Sequence, residues 1–211
     1  MLTVELIGFT ANAEYLCGTA AAECYQGKNI AKSLSVAMDG GHESVLEHAA
    51  FTFRVSGVSR VLLAQLTRHR IASYSVQSQR YCGVKPEWVI PQTVKDAGYE
   101  KGMRVLCEDA YAIMEKMMEA GVPAEDARYI IPQGVTCSLV VTMNARELRH
   151  FFSLRCCNWA QWEIREMAME MLEVCRIAAE KIFKDAGPGC VRGACPEGKK
   201  CCGKPWERVN G

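Results

Sequence analysis

Arg68-His69-Arg70 and Arg80 bracket a run of side chains that can donate hydrogen bonds: Ser73, Tyr74, Ser75, Gln77, Ser78 and Gln79. No carboxylate occurs between Arg68 and Glu87. The natural partner of such a stretch is a phosphate, because guanidinium forks, hydroxyls and backbone N–H groups all donate to phosphate oxygens. The alternative is a solvated helix end, favoured by the helix dipole. A solvated face usually alternates the sign of its charges, and this one does not.

Other residues could also do chemistry. Arg155 follows Phe151-Phe152-Ser153-Leu154, an apolar setting in which a permanent charge requires a partner. Glu163 or Glu166 would supply one if its role were only structural. Arg146 and His150 are four apart and project from one helix face, with Asn144 placed to cap that helix and Glu147 three residues on. Arg128 is either a ligand-binding cation or half of an exposed ion pair with Glu125 or Asp126. Ser44 and Glu47 have the spacing of a capping box, which gives Ser44 a structural reading beside any functional one. Twelve cysteines are present, yet none sits in a Cys/His nucleophile arrangement. Cys156-Cys157 are singled out only because they adjoin Arg155. No Gly-x-Gly-x-x-Gly dinucleotide fingerprint occurs.

These blocks together resemble the flavin-dependent thymidylate synthases. Arg68-His69-Arg70, seven intervening residues and Ser78 match that family's signature. Gly41-His42-Glu43-Ser44 through His48, with Phe51-Thr52-Phe53, is similar to its upstream motif. Ala127-Arg128-Tyr129-Ile130-Ile131-Pro132, Asn144-Ala145-Arg146, and Leu154-Arg155 followed by Ala160-Gln161-Trp162-Glu163 are similar to its later ones. The order holds from about residue 41 to residue 170.

The resemblance implies methylation of dUMP to dTMP in de novo synthesis. Methylenetetrahydrofolate would supply the carbon, and FAD reduced by NADPH the hydride. It implies FAD contacts from His42, Ser44, Arg68, His69, Arg70, Asn144, Arg146 and His150. It implies dUMP contacts from Gln65, Leu66, Thr67, Arg68, Val76, Gln77, Ser78, Gln79, Arg80, Arg128 and Arg155. Arg155 would be the catalytic residue, placed to stabilise negative charge on the pyrimidine as C5 becomes nucleophilic. The family also implies a homotetramer with sites shared between subunits. Two positions depart from its pattern: Ser75-Val76 stands where many members carry Asn-Glu, and His150 where some carry asparagine. A contact at Val76 would have to use backbone. Two other readings remain open from the residues. One is a nucleotide- or RNA-binding module without flavin; the other is a cysteine-dependent metal-binding or redox interaction protein built on the tail of residues 188–211.

The elements that must carry these residues can be read from periodicity. Thr3 to Phe9 reads as a strand, Ala11 to Gln26 and Asn29 to Met38 as helices, and Ala50 to Val55 as a half-buried strand with Phe51, Phe53 and Val55 inward. Val58, Val61, Leu62 and Leu66 recur at helical spacing. Tyr81 to Thr93 reads as loop with a short extended piece. Met103, Leu106, Ala110, Ile113 and Met117 mark an amphipathic helix ending at Gly121. Pro123 starts a further helix that Pro132 ends, and Val135 to Met143 is strand-forming. Ile164, Ala168, Met171, Cys175, Ala178 and Ile182 mark one long helix stopped by Gly187-Pro188. The expected fold is α+β: a central, mostly antiparallel sheet flanked by long helices in one domain over residues 1–187.

Residues 188–211 form a tail in which Cys190, Cys195, Cys201 and Cys202 crowd together without a Cys-x-x-Cys knuckle, so no metal is assigned. Net charge is +1, with 49% apolar and 23% charged residues, which argues against a general nucleic-acid binder. No apolar run approaches a membrane span, and the start lacks a signal-peptide pattern. Single cysteines within apolar patterns fit a cytoplasmic protein.

Overall fold

The computed structural model describes residues 1–83 and 85–206. In chain order the elements are β1 (Thr3–Phe9), α1 (Ala13–Tyr25), α2 (Ile30–Asp39), a 3-10 turn (Glu43–His48), β2 (Ala50–Ser59), α3 (Arg60–Leu66), β3 (Ala72–Val76), α4 (Gln92–Asp96), α5 (Glu100–Glu119), α6 (Ala124–Ala127), β4 (Thr136–Asn144), α7 (Ala145–Arg155), α8 (Trp162–Ala178) and α9 (Glu180–Phe183). The fold is α+β, with a four-stranded antiparallel sheet in the order β1-β2-β4-β3.

Register follows from the pairs. Thr10 N–H donates to the Ala50 carbonyl, Ala145 to Ala49, and Arg60 to Val135. The Thr52 and Thr142 hydroxyls meet at 2.9 Å. Along β2 and β4 the partner numbers run in opposite directions, as an antiparallel ladder requires. Strand β4 alternates buried and half-buried residues without a break, and Phe51, Phe53 and Val55 of β2 are fully buried, as the spacing predicts.

The chain divides into two compact units, neither contiguous in sequence. One contains Met1–Thr3, Val55–Arg68 and Ser75–Leu139. Its core draws on Val58, Leu62, Leu66, Cys107, Ala110, Met114 and Leu139. The other contains Val4–Arg54, His69–Tyr74 and the residues from Val140 on. Its core is aromatic: Phe51 meets Phe183 edge-on at 5.3 Å, and Phe152 meets Phe183 at 6.1 Å. Each such fully buried ring stabilises the fold by about 1.5–3 kcal/mol.

Several expectations are corrected. The helix expected from Ser44 is a 3-10 turn beginning at Glu43, with His42 at its start and no side-chain cap, so the capping box does not form. Val58 belongs to β2, and α3 begins only at Arg60, where the Ser59 hydroxyl accepts from Leu62 N–H at 3.1 Å. Helix α3 ends at Leu66, so Arg68 lies beyond it. The run beyond Arg70 contains β3.

On α5 the buried stripe is Cys107, Ala110 and Met114, while Leu106 and Ile113 are 65% and 44% exposed. The buried face therefore shares only Ala110 with the one expected. The helix expected to run through Ile182 breaks at Ala179, whose φ of −153° and ψ of 73° are not helical, and α9 follows. Trp88 pairs with Val135 in a single bridge, the short extended piece expected between Tyr81 and Thr93; Val84 in that stretch lies outside the described residues. The tail's residues 207–211 also lie outside them. Among the described residues no helix is long and apolar enough to cross a membrane.

Candidate active site

Helix α7 begins as a sequence with Asn144 three before Glu147 should begin. The Asn144 side chain accepts from Glu147 N–H at 2.8 Å, closing the first turn. In a capping box the acid at this position would turn back to the cap's own N–H. Here the Glu147 carboxylate, 7% exposed, instead faces the His69 ring, with Oε1 at 3.2 Å from Nδ1. Two turns further on, Arg155 Nε donates to His69 Nε2 at 3.0 Å. The ring itself packs edge-on against Phe151 at 4.9 Å. Glu147, Phe151 and Arg155 are spaced i, i+4, i+8, so one ridge of α7 grips a single imidazole from three sides.

The protonation state follows from the partners. Arginine is a donor only, so His69 Nε2 must present its lone pair, and the ring proton sits on Nδ1 toward Glu147. Burial, the largest influence, holds the imidazole below its ordinary pKa. The neighbouring Arg155 and His150 act in the same direction, and Glu147 opposes them. His69 is therefore neutral at physiological pH. Tyr74 adds a fourth restraint, donating its hydroxyl to the His69 carbonyl at 2.8 Å, and burial pushes its phenol up to about 12. Arg155 stands at the last residue of α7, where the helix dipole favours a cation.

The other flavin candidates of this unit lie around the same helix. His150 is exposed, with its ring 6.1 Å from that of His69. Arg146 is exposed and paired with Glu47. His42 packs beside Tyr25 at 5.6 Å, and His42, Ser44 and Arg70 are exposed. Between His42 and Ser44, the Glu43 carboxylate accepts from Arg149 at 3.0 Å and from Arg192 at 2.9 Å.

Arg149 is 2% exposed and also donates to both carboxylate oxygens of Asp185, at 2.7 and 3.2 Å, and to the Ile182 carbonyl at 2.6 Å. Sequence reasoning assigns no site role to Glu147 or Arg149. The signal is nevertheless present in the spacing: 147, 151 and 155 share a ridge, and Arg149 falls between apolar residues of the buried face.

The nucleotide candidates other than Arg155 belong to the other compact unit. Gln65 donates to the Val61 carbonyl at 3.4 Å, and Thr67 closes α3 with its hydroxyl on the Leu63 carbonyl at 3.1 Å. The Leu66 side chain is fully buried, which leaves only its backbone for a ligand. Arg68 is exposed just beyond the helix. Val76 ends β3, and Gln77 is held by its backbone, its N–H on the Ser138 carbonyl at 2.9 Å and its carbonyl accepting from Arg60 at 3.2 Å.

The Ser78 hydroxyl accepts from Arg80 N–H at 3.1 Å, with Gln79 half-buried between them. Arg80 meets the Glu125 carboxylate at 2.6 Å, both side chains about half exposed. Arg128 donates to the Glu125 backbone carbonyl at 3.0 Å rather than to a carboxylate. Two guanidiniums thus converge on Glu125, in an exposed arrangement that costs little to open.

A cleft of about 510 Å³ has Arg155, Ser153 and Asn158 on one wall and the tail residues Cys190, Cys195 and Cys202 on another. Trp159 N–H on the Lys200 carbonyl at 2.8 Å and the Asn158 amide on Cys202 Sγ at 3.4 Å hold the tail there. Cys156 is fully buried, and burial pushes its thiol up to about 12, so it is no nucleophile. Among the described residues no group of three or more His, Cys, Asp or Glu is arranged to hold a metal ion.

Comparison with known proteins bears on the family of the chain. Residues 5–179 match the family model described as thymidylate synthase complementing protein. A flavin-dependent thymidylate synthase of Geobacter sulfurreducens is 44% identical over 98% of this chain and 96% of its own length. That of Pyrococcus furiosus is 46% identical over 86% and 82%. Among solved structures, a UMP/dUMP methylase PolB from Streptomyces cacaoi, bound with 5-Br dUMP, superposes with a TM-score of 0.77 at 23% identity, covering 87% of this chain and 93% of that one. At that identity the superposition speaks for the fold. The matched length and the level of identity to the curated relatives decide the rest: this chain belongs to the family of flavin-dependent thymidylate synthases.

Proposed function

We propose that this chain methylates dUMP to dTMP in de novo synthesis, with 5,10-methylenetetrahydrofolate as carbon donor and FAD reduced by NADPH as hydride donor. The observation that carries this reading is Arg155 at the end of α7, its Nε on a neutral, buried His69. A cation fixed in this way can face negative charge that develops on a pyrimidine ring without having to reorganise. Because His69 is uncharged, it orients the guanidinium without repelling it.

A flavin would supply the hydride when bound. The donor set of the α7 unit suits it: His42, Ser44, Arg70 and His150 are exposed, and Arg146 makes a solvent-screened pair with Glu47. Asn144 contributes as a helix cap and, in this reading, as a flavin contact beside His69. The nucleotide would be held by Gln65 to Arg68, by the backbone and side chains of Val76 to Arg80, by Arg128 and by Arg155. Arg80 and Arg128 would exchange Glu125 for the nucleotide phosphate. The protein works as a cytoplasmic homotetramer in which subunits share sites, and residues 188–211 are an appended tail that walls the Arg155 cleft.

The test is a spectrum of the purified protein, followed by anaerobic NADPH with and without dUMP. The expected result is a flavin band that bleaches faster with dUMP, and an Arg155→Ala variant that keeps the band and loses dTMP formation by about a hundredfold or more. A colourless protein that does not take up added FAD refutes the reading.

A further inference from the structure

We propose that Glu147 is a positioning residue for Arg155, acting through the tautomer of His69. This rests on the catalytic reading of Arg155 and extends it by one residue. A neutral imidazole can carry its proton on either nitrogen, and only one choice leaves Nε2 free to accept from Arg155 Nε. Glu147 is a buried acceptor 3.2 Å from Nδ1 and makes that choice. Without it, a ring protonated at Nε2 would point a donor at a donor, and the guanidinium would lose its bond to the ring.

The groups that face the ring are Glu147, Arg155 and His150 from α7, and Tyr74, which donates to its carbonyl from β3. None of the other three can replace Glu147. Arg155 is a donor only, His150 lies 6.1 Å away between ring centroids, and the Tyr74 hydroxyl is directed at the backbone. Glu147 itself is fixed by its position in the first turn of α7, where Asn144 caps its N–H and the helix dipole favours its charge. The line runs from helix start to helix end, so α7 is the ruler that matches acid to cation across one ring.

The experiment is nitrogen-15 NMR of the full chain labelled in its histidines, alongside steady-state kinetics. In the wild type at neutral pH, His69 is expected as the neutral Nδ1–H tautomer. Finding it as Nε2–H, or as the imidazolium, overturns the proposal without any variant being made.

Glu147→Ala is expected to release the tautomer and to lower kcat by about ten- to a hundredfold through misplacement of the guanidinium. KM for dUMP is expected to stay within about threefold. In an Arg155→Lys background the same change is expected to cost less than about twofold, since Lys has no Nε fork to orient. A merely structural carboxylate would lower Tm with kcat intact, or cost the same factor in both backgrounds, and either result overturns the proposal. If instead Arg155→Ala keeps its turnover, the catalytic reading of Arg155 fails, while the wild-type His69 spectrum still reports on the hydrogen-bonded line itself.

Discussion

Replacing Arg149 with methionine should destabilise the protein far more than a typical arginine substitution. Arg149 is 2% exposed and satisfies the Glu43 and Asp185 carboxylates and the Ile182 carbonyl. Methionine keeps much of the stem but takes this donor from Asp185 and the Ile182 carbonyl, and leaves Glu43 with Arg192 alone. Breaking a fully buried pair costs about 3–5 kcal/mol. The Asp185 and Glu43 side chains are 40% and 25% exposed, so water would recover part of this, and about 2–4 kcal/mol is the expected loss.

For a chain of this length that corresponds to a Tm lowered by roughly 5–15 °C in thermal unfolding followed by circular dichroism. A second signature lies in acid. Burial, the largest influence, would raise the Asp185 carboxyl, but the hydrogen bonds and charge of Arg149, a backbone hydrogen bond and the charge of Arg192 together hold it below its ordinary 3.8. A depressed carboxyl contributes stability above its unfolded value, and that contribution fades as pH falls through the lower, folded one. The wild type should therefore lose this increment below about pH 4, and Arg149→Met should show a flatter acid limb there. A Tm shift of less than about 2 °C, or an acid limb parallel to the wild type, would refute the clamp.

Other consequences are testable in the same way. Asn144→Ala should cost about 1 kcal/mol through the lost cap, and Asn144→Ser should recover most of it in thermal melts. If flavin affinity stays low in Asn144→Ser while Tm returns, Asn144 also touches the cofactor. The Asn158 amide holds the Cys202 thiol below its ordinary pKa, so Cys202 should be the first tail cysteine alkylated by iodoacetamide as pH rises. Peptide mapping should show that order reversed or levelled in Asn158→Leu.

What could be read from sequence, and what could not, divides along physical lines. Strands β2 and β4 announce themselves because their apolar residues alternate, and a period of two places one face of an extended chain against the core. The Asn144 cap is equally local. Strand β3 also alternates, with Ala72, Tyr74 and Val76 more buried than Ser73 and Ser75, but its polar residues read first as ligands. Helix α7 is harder to place, because two of its buried positions are charged, and Glu147 and Arg149 look like solvated residues until their partners are known.

Those partners, His69 and Glu43, are 78 and 106 residues away, a relation that no local pattern carries. Helix α5 shows the opposite case. It has apolar residues on more than one face, so periodicity alone selects the wrong stripe. Among the site residues, Arg155 was legible from its apolar surroundings, whereas the acid and imidazole that orient it were not both within reach of one window.

The break at Ala179 has a consequence for how the protein is made. Helix α9 is too short to persist alone, and its first free N–H groups include that of Lys181, which donates to the Glu14 carboxylate at 2.6 Å. Glu14 is synthesised 167 residues earlier. At ordinary ribosomal speeds the start of the chain waits roughly 10–30 s for the segment that completes its own unit. During that interval Phe51 has no Phe183 to pack against, and the Glu43 carboxylate waits for Arg149 and, longer still, for Arg192. Val55–Arg68 and Ser75–Leu139, which build most of the other compact unit, emerge before that segment. The unit that holds His69 and Arg155 is thus the last to be finished on the ribosome, although its first strand is among the earliest residues made.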